Sequence, residues 1–139
     1  MAKNQLEAEH QKAFVQYLEI SKKRGRVVEY FAPINENNSS FTNRAVAVKT
    51  EAKSKAMGKK AGTPDLCVIL KSKVLFIEMK RPRKILKSGE KSKENLESKH
   101  QKLFRDTINN NCDCAESFVC YGFNEAKELL DKEIGKCKN

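Results

Sequence analysis

The sequence predicts a mixed α/β domain, a sheet with helices packed against it, in the order α-β-α-β-β-α-β-α. Two short aliphatic runs, Leu66–Leu70 and Val74–Met79, flank Lys71-Ser72-Lys73 and are typical of adjacent strands joined by a tight turn. Helical periodicity on both sides of these runs supplies the helices. The length of 139 residues suits a single domain spanning residues 1–139.

The charge of the chain predicts a polyanionic partner. Lysine and arginine number 28 against 18 acidic residues, which gives a formal net charge of +10. Each phosphate that such a surface neutralises releases condensed counterions, so a nucleic acid is favoured. No apolar run approaches the ~20 residues of a membrane span, and the N-terminus lacks a signal-peptide core. We therefore expect a soluble, cytoplasmic protein.

The five cysteines predict reduced thiols rather than disulfides. Their number is odd, no secretory signal precedes them, and Cys67 falls inside a predicted strand. Cys112 and Cys114 form a Cys-x-Cys pair, but no second pair or nearby histidine stands at zinc-site spacing. Small residues at a turn are favoured there over a metal site.

An amphipathic helix is predicted from Leu6 to about Arg24. Glu7 lies close to the edge of its apolar face, and Glu9 lies farther round. Glu7 and Gln11 are one turn apart and could both point into the interior, whereas the alternative is a solvated glutamate favoured by the helix dipole. The apolar face consists of Leu6, His10, Ala13, Phe14, Tyr17 and Leu18.

The next elements are a strand over Val27–Ile34, a turn over Asn35–Ser40 and a helix from Thr42 to about Met57. Gly58 is expected to end this helix. Its predicted apolar positions are Ala45, Val46, Val48, Ala52 and Ala56.

A third helix is predicted from Ser98 to about Asn110, with Ser98 and Gln101 forming a capping box. A strand over Ser117–Tyr121 should follow it, and Asn124 should cap a closing helix over Glu125–Ile134. The residues expected on the buried side of the third helix are Leu103, Phe104 and Ile108.

Basic residues flank the central hairpin on both sides. Residues 83–95 are predicted to form a flexible basic loop beside the candidate site. A charge run is usually a solvated surface, but its position here favours contacts with nucleic acid. The candidate nucleic-acid-binding residues are Lys59, Lys60, Arg81, Arg83, Lys84 and Lys87.

The hairpin also carries the candidate chemistry. Glu78 and Lys80 share one face of their strand, and hairpin pairing should bring Asp65 beside them. Two close carboxylates repel each other, and a hard divalent cation such as Mg²⁺ commonly binds between them and offsets this repulsion. Mg²⁺ keeps several water ligands, which leaves room for phosphate oxygens. An adjacent lysine can stabilise negative charge developing on phosphate. These residue types match metal-assisted hydrolysis of a phosphodiester.

Strand context, rather than the tripeptide, carries this signal. Glu-x-Lys occurs four times, and only the copy at Glu78 lies in an apolar strand that follows the single Pro-Asp at hairpin distance. The alternative is structural: Asp65 caps a turn, while Glu78 and Lys80 form a surface ion pair.

The chain resembles the PD-(D/E)xK nuclease superfamily at Pro64-Asp65 and Glu78-Met79-Lys80. More narrowly, it resembles the VRR-NUC (virus-type replication-repair nuclease) family, in the small stand-alone form of phages and bacteria. The further matching features, in the family's order, are Glu7 with Gln11, Gly62-Thr63-Pro64-Asp65-Leu66, Phe76 to Arg81, Ser98-x-x-Gln101, and Tyr121-Gly122 before Glu125-Ala126.

The resemblance implies a restriction-endonuclease-like fold that cleaves DNA with Mg²⁺ or Mn²⁺. It implies that Asp65, Glu78 and the Met79 carbonyl are metal ligands and that Lys80 orients the water. Glu7, or alternatively Glu9, would complete the acidic cluster. Gln101 would be the active-site glutamine, and the protein would be a homodimer.

Three functions therefore stand open from the sequence. The leading one is a structure-selective DNA endonuclease acting on branched, junction or flap DNA. The second is a non-catalytic basic nucleic-acid-binding module on the same fold. The third, a thiol redox protein using Cys112 and Cys114, is weaker because nothing nearby would depress a thiol pKa.

Overall fold

The computed structural model describes residues 3–33, 44–93 and 96–137 of the chain. Its elements follow the predicted order of helices and strands. The predicted turn over 35–40, the end of the first predicted strand at Ile34, and the starting residues 42–43 of the second helix lie outside the described residues. The elements are α1 Lys3–Lys23, β1 Glu29–Phe31, α2 Arg44–Ala56, β2 Leu66–Ile69, β3 Val74–Lys80, α3 Lys99–Asn111, β4 Ala115–Tyr121 and α4 Phe123–Cys137.

The four strands form one mixed sheet in the order β1-β2-β3-β4. β2 pairs antiparallel with both β1 and β3, and the β2–β3 hairpin matches the predicted pair of adjacent strands. β3 and β4 are parallel, so they need a crossover connection, which contains α3. The prediction of a mixed sheet flanked by helices is confirmed.

The two faces of β3 meet different helices. Phe76 makes an edge-to-face contact with Phe104 of α3, with ring centroids 5.5 Å apart. Because side chains alternate along a strand, Glu78 and Lys80 lie on this same face. Leu75, Ile77 and Met79 point the other way and are fully buried in the core. That core also contains Phe14 and Leu18 of α1 and Leu130 of α4.

At Ser117 the outer edge of β4 is capped by a side chain of α3. Asn109 donates from Nδ2 to the Ser117 carbonyl at 3.0 Å and accepts from the Ser117 N–H at 2.7 Å. These two hydrogen bonds satisfy both backbone groups of Ser117 at an edge where the described sheet provides no further strand.

Two local predictions are wrong. Leu103 is 64 % exposed rather than buried, because α3 turns Phe104 and Ile108 toward the sheet instead. Asn124 lies inside α4 and does not cap it. The N–H of Phe123 at the start of α4 donates instead to Nδ1 of His10 in α1, at 2.9 Å.

The second helix packs less than its sequence predicts. None of the residues described in α2 is buried, and Val46 and Val48 are exposed. Beyond β3, residues 84–92 form a narrow hairpin, with an isolated bridge between Ile85 and Lys91 and a 2.8 Å hydrogen bond from Leu86 N–H to the Glu90 carbonyl. No helix in the described ranges combines the length and apolar character that crossing a membrane requires.

Candidate functional site

The hairpin register brings the predicted carboxylates together. Leu66 pairs with Ile77, so one more step of the antiparallel register sets Asp65 opposite Glu78. Oδ2 of Asp65 accepts a hydrogen bond from the Met79 N–H at 2.8 Å. Asp65 is therefore held on the backbone of β3, immediately beside Glu78.

Glu78 is a buried carboxylate with unequal oxygens. Its residue is only 7 % exposed. Oε1 accepts a hydrogen bond from Nε2 of Gln101 at 2.8 Å and lies 3.7 Å from Nζ of Lys80. Oε2 is buried and has no hydrogen-bond partner of suitable geometry among the described residues. Leaving such an atom unsatisfied is costly, so a ligand at Oε2 would remove that cost.

The electrostatics of this pair favour a proton or a cation. Burial, followed by the charge and close contact of the Asp65 carboxyl group, raises the pKa of Glu78 from 4.5 to about 8, while Lys80 acts in the opposite direction. At neutral pH a group with such a pKa is largely protonated when no metal is bound. A divalent cation would favour the ionised form.

Gly62 fixes the distance between the Pro-Asp loop and α3. Its φ of +82° is a conformation that residues with a side chain rarely adopt. A Cβ at this position would lie 2.4 Å from the carbonyl carbon and oxygen of His100 and 2.8 Å from the Gln101 nitrogen. The loop before Asp65 can therefore touch the first turn of α3 only because residue 62 is glycine.

The predicted capping box at the start of α3 is present. Oγ of Ser98 accepts from the Gln101 N–H, and Oε1 of Gln101 accepts from the Ser98 N–H at 2.9 Å. The remaining end of the Gln101 amide donates to Glu78. One side chain thus begins the helix and holds the buried carboxylate.

Of the two candidate acids in α1, Glu7 faces the site. Burial raises the pKa of Glu7, with Lys80 lowering it and the charge of Asp65 raising it further. Glu9 is exposed and lies 3.7 Å from Lys12. Glu7 therefore interacts electrostatically with the hairpin residues, whereas Glu9 forms an ordinary surface ion pair.

The donor set fits a hard cation that uses few protein ligands. Within the described residues, no three carboxylate, imidazole or thiol groups lie close enough together to hold a metal ion. Glu7 therefore does not join Asp65 and Glu78 in a ready-made three-acid cage. Mg²⁺ commonly uses one or two carboxylates and retains several waters. The Asp65–Glu78 pair, in which Oε2 of Glu78 lacks a hydrogen-bond partner, matches this coordination.

The candidate DNA-binding residues fall into different environments. Lys59 pairs with Glu51 at 2.9 Å, and only 19 % of its side chain is exposed. Lys60, Lys84 and Lys87 are exposed, and Arg81 is half-buried. Arg83 stacks on the ring of Tyr121, with its guanidinium carbon 4.1 Å from the ring centroid. Tyr121 was not a sequence candidate, since only the β3–β4 register brings it beside Lys80.

The cysteines have the properties of ordinary thiols. All five are free. Burial raises the pKa of Cys67 and, more strongly, that of Cys120, to about 12. The Sγ atoms of Cys112 and Cys114 are 3.8 Å apart, and this contact raises the pKa of Cys114. Raised pKa values disfavour the thiolates that redox chemistry requires.

Comparisons of the chain with protein-family models, with curated proteins and with solved structures return no significant match. The case for a function therefore depends on the chemistry of this site.

Proposed function

We propose that this chain is a Mg²⁺- or Mn²⁺-dependent DNA endonuclease of the PD-(D/E)xK superfamily, similar to the VRR-NUC family. The observation that carries the proposal is the pairing of Asp65 with Glu78 across a buried hairpin, with Lys80 3.7 Å from Glu78. Burying two carboxylates and an ammonium at the end of these strands costs free energy. A purely structural role could be filled by apolar side chains without that cost.

Asp65 and Glu78 would hold the metal ion, with the Met79 carbonyl as a third ligand. The ion would supply Lewis-acid stabilisation of negative charge on the phosphate. Lys80 adds a positive charge within the same site and orients the attacking water. Gln101 restrains the orientation of Glu78 through its 2.8 Å hydrogen bond, and Glu7 adds negative charge from α1.

The net charge of +10 supports DNA as the substrate. The proposed cleavage is structure-selective, on branched, junction or flap DNA, because the sequence contains no base-reading module such as a zinc finger. A homodimer in the cytoplasm, with two sites for two strands, completes the proposal.

The test is a cleavage panel of labelled duplex, single-stranded, flap and four-way junction DNA with Mg²⁺, Mn²⁺ or EDTA. We expect cleavage of the branched substrates that EDTA abolishes. Asp65→Ala, Glu78→Gln and Lys80→Ala should each lower the rate by about 100-fold or more. Glu133→Gln is the matched control, since Glu133 is also buried but pairs with Lys73 near the opposite end of β3.

Cleavage that persists in purified Glu78→Gln protein would assign the activity to a contaminant and refute the proposal. Loss of cleavage in Glu133→Gln, under conditions where that protein is folded, would attribute the effect to any lost buried carboxylate rather than to the site.

One observation favours the second candidate, a non-catalytic nucleic-acid-binding module: among the described residues no third acid lies close enough to Asp65 and Glu78 to share a metal ion with them. Calorimetric titration with Mn²⁺ separates the two functions. A nuclease should show a site that disappears in Asp65→Ala, whereas a binding module should show steeply salt-dependent DNA binding and no such site.

A further inference from the structure

A cleft of about 510 Å³ lies against β4, on the side that α3 covers. Residues of β4, of α3 and of the segment after β3 line it, among them Arg83, Lys93, Arg105 and Tyr121. Its size is that of a small-ligand pocket rather than of a single-ion site. Neither the carboxylate pair nor the Pro-Asp loop contributes to it.

The charges lining this cleft leave a surplus of positive charge. Arg105 makes a bidentate pair with Glu97 at 2.8 and 2.9 Å, and Glu116 pairs with Lys73 at 2.8 Å. Both acids of the cleft are therefore compensated. Among the described ion pairs none involves Arg83 or Lys93, and Nε of Arg83 is buried without a hydrogen-bond partner in the described part of the chain. An anion in the cleft would balance the positive charge of these two side chains.

The guanidinium of Arg83 already packs against an aromatic ring before any ligand arrives. Its guanidinium lies 4.1 Å from the centre of the Tyr121 ring, and cation–π stacking of this kind restricts the long side chain. Stacking orients the guanidinium and reduces the entropy that binding a phosphate would cost.

The stacked arginine is close to the candidate site. Tyr121 is the register partner of Lys80, so both side chains project from the same face of neighbouring strands. Adjacent strands lie about 4.8 Å apart. Through its contact with Tyr121, Arg83 therefore lies near the end of β3 that carries Lys80.

We infer that this cleft is a subsite for a nucleic-acid backbone phosphate close to the cleaved bond. Arg83 is the phosphate ligand, Tyr121 is the platform that positions Arg83, and Lys93 adds positive charge at the mouth. The inference rests on the proposed function only in taking Lys80 as the reacting centre. Such a contact is independent of base sequence and sets the register of the strand.

The test measures binding of flap DNA in EDTA, where no cleavage occurs, over a range of salt concentrations. Arg83→Gln should weaken binding roughly tenfold and reduce the slope of log K against log salt by about 0.7 to 0.9, the value for one lost phosphate contact. Arg24→Gln is the matched control. It removes the same charge at the far end of α1, about 25 Å along the helix from Glu7, and should leave the slope unchanged.

Arg83→Lys keeps the charge and removes the planar stacking group. Its salt slope should match that of the wild type while its affinity is lower. A slope for Arg83→Lys equal to that of Arg83→Gln would show that charge at this position is not what contacts the phosphate, and would overturn the inference.

Replacing single phosphates with neutral methylphosphonates locates the contact. One replacement near the cleaved bond should weaken binding of the wild type and have no further effect on Arg83→Gln. Equal effects on both proteins at every position, or equal slopes for Arg83→Gln and Arg24→Gln, would overturn the subsite. If no DNA is cleaved but the salt slopes and methylphosphonate effects are as expected, the proposed nuclease function would be refuted and the phosphate subsite supported.

Discussion

Gln101 uses both ends of its amide in the candidate site. Oε1 completes the capping box with Ser98, and Nε2 donates to the buried carboxylate of Glu78. The capping role is visible in the sequence, but the contact with Glu78 depends on the packing of α3 over β3. A substitution at Gln101 therefore changes two quantities, the stability of α3 and the environment of Glu78, and suitable variants separate them.

Gln101→Glu should keep the helix and impair the chemistry. Glutamate also completes a capping box, so α3 should remain stable. The added carboxylate would lie against Glu78 and raise its pKa further, and we expect cleavage to fall about tenfold or more. Ser98→Ala is the complementary control, costing about 1 kcal/mol of stability with cleavage retained. Thermal melts and cleavage rates check both; a large activity loss in Ser98→Ala alone would contradict this division.

The raised pKa of Glu78 predicts an unusual pH dependence of stability without metal. The folded protein keeps a proton on Glu78 up to about pH 8, whereas the unfolded chain loses it near 4.5. The folded state thus binds more protons in this window, so stability should fall as pH rises through it. The slope contributed is at most about 1.4 kcal/mol per pH unit.

Urea denaturation in EDTA between about pH 5 and pH 8 measures this effect as the difference between wild type and Glu78→Gln, which removes the titrating group. The wild type should lose stability relative to the variant as pH increases. Parallel stability curves for the two proteins would contradict the raised pKa.

Gly62 sets how closely the Pro-Asp loop approaches α3. Gly62→Ala should destabilise the protein by about 2 kcal/mol or more, because strain at positive φ adds to a clash with the backbone of His100. Gly25→Ala is the matched control: its φ is +74°, but nothing lies within 4 Å of a Cβ there. Chemical denaturation should show the larger loss for Gly62→Ala. Equal losses would mean that backbone conformation alone requires glycine at residue 62.

At the scale of helices and strands, local signals in the sequence predict the element order and the capping box correctly. They failed where the deciding partner is distant in sequence. Asn124 is a good local cap, yet the N–H of Phe123 bonds to His10, 113 residues away. Lys59 is predicted to bind nucleic acid, yet its ammonium pairs with Glu51. Hairpin spacing predicted Asp65 beside Glu78, but no spacing predicts the stack of Arg83 on Tyr121.

Across the whole molecule, the candidate site draws on distant parts of the chain. Glu7 comes from α1, Asp65 from the loop before β2, Glu78 from β3 and Gln101 from α3. Only the folded domain brings these groups together. A cation that binds the site should therefore bind the folded state and not the unfolded chain, so its effect is measurable as stability.

Mn²⁺ should stabilise the wild type against thermal unfolding. At a free concentration about 100 times its dissociation constant, the expected gain is about 2.7 kcal/mol. Asp65→Asn should lose this gain, while Glu133→Gln, which alters a buried carboxylate away from the site, should keep it. An equal gain in Asp65→Asn would mean that the ion binds elsewhere on the chain.

The pair of hydrogen bonds between Asn109 and Ser117 has a consequence for self-association. An exposed strand edge is a template on which another chain can add a strand and begin to aggregate. At Ser117 the amide of Asn109 occupies both backbone groups that an incoming strand would use. Strand addition is thus blocked at Ser117, and the N–H of Tyr121 at the end of β4 is likewise occupied, by Oε1 of Glu125 at 3.2 Å.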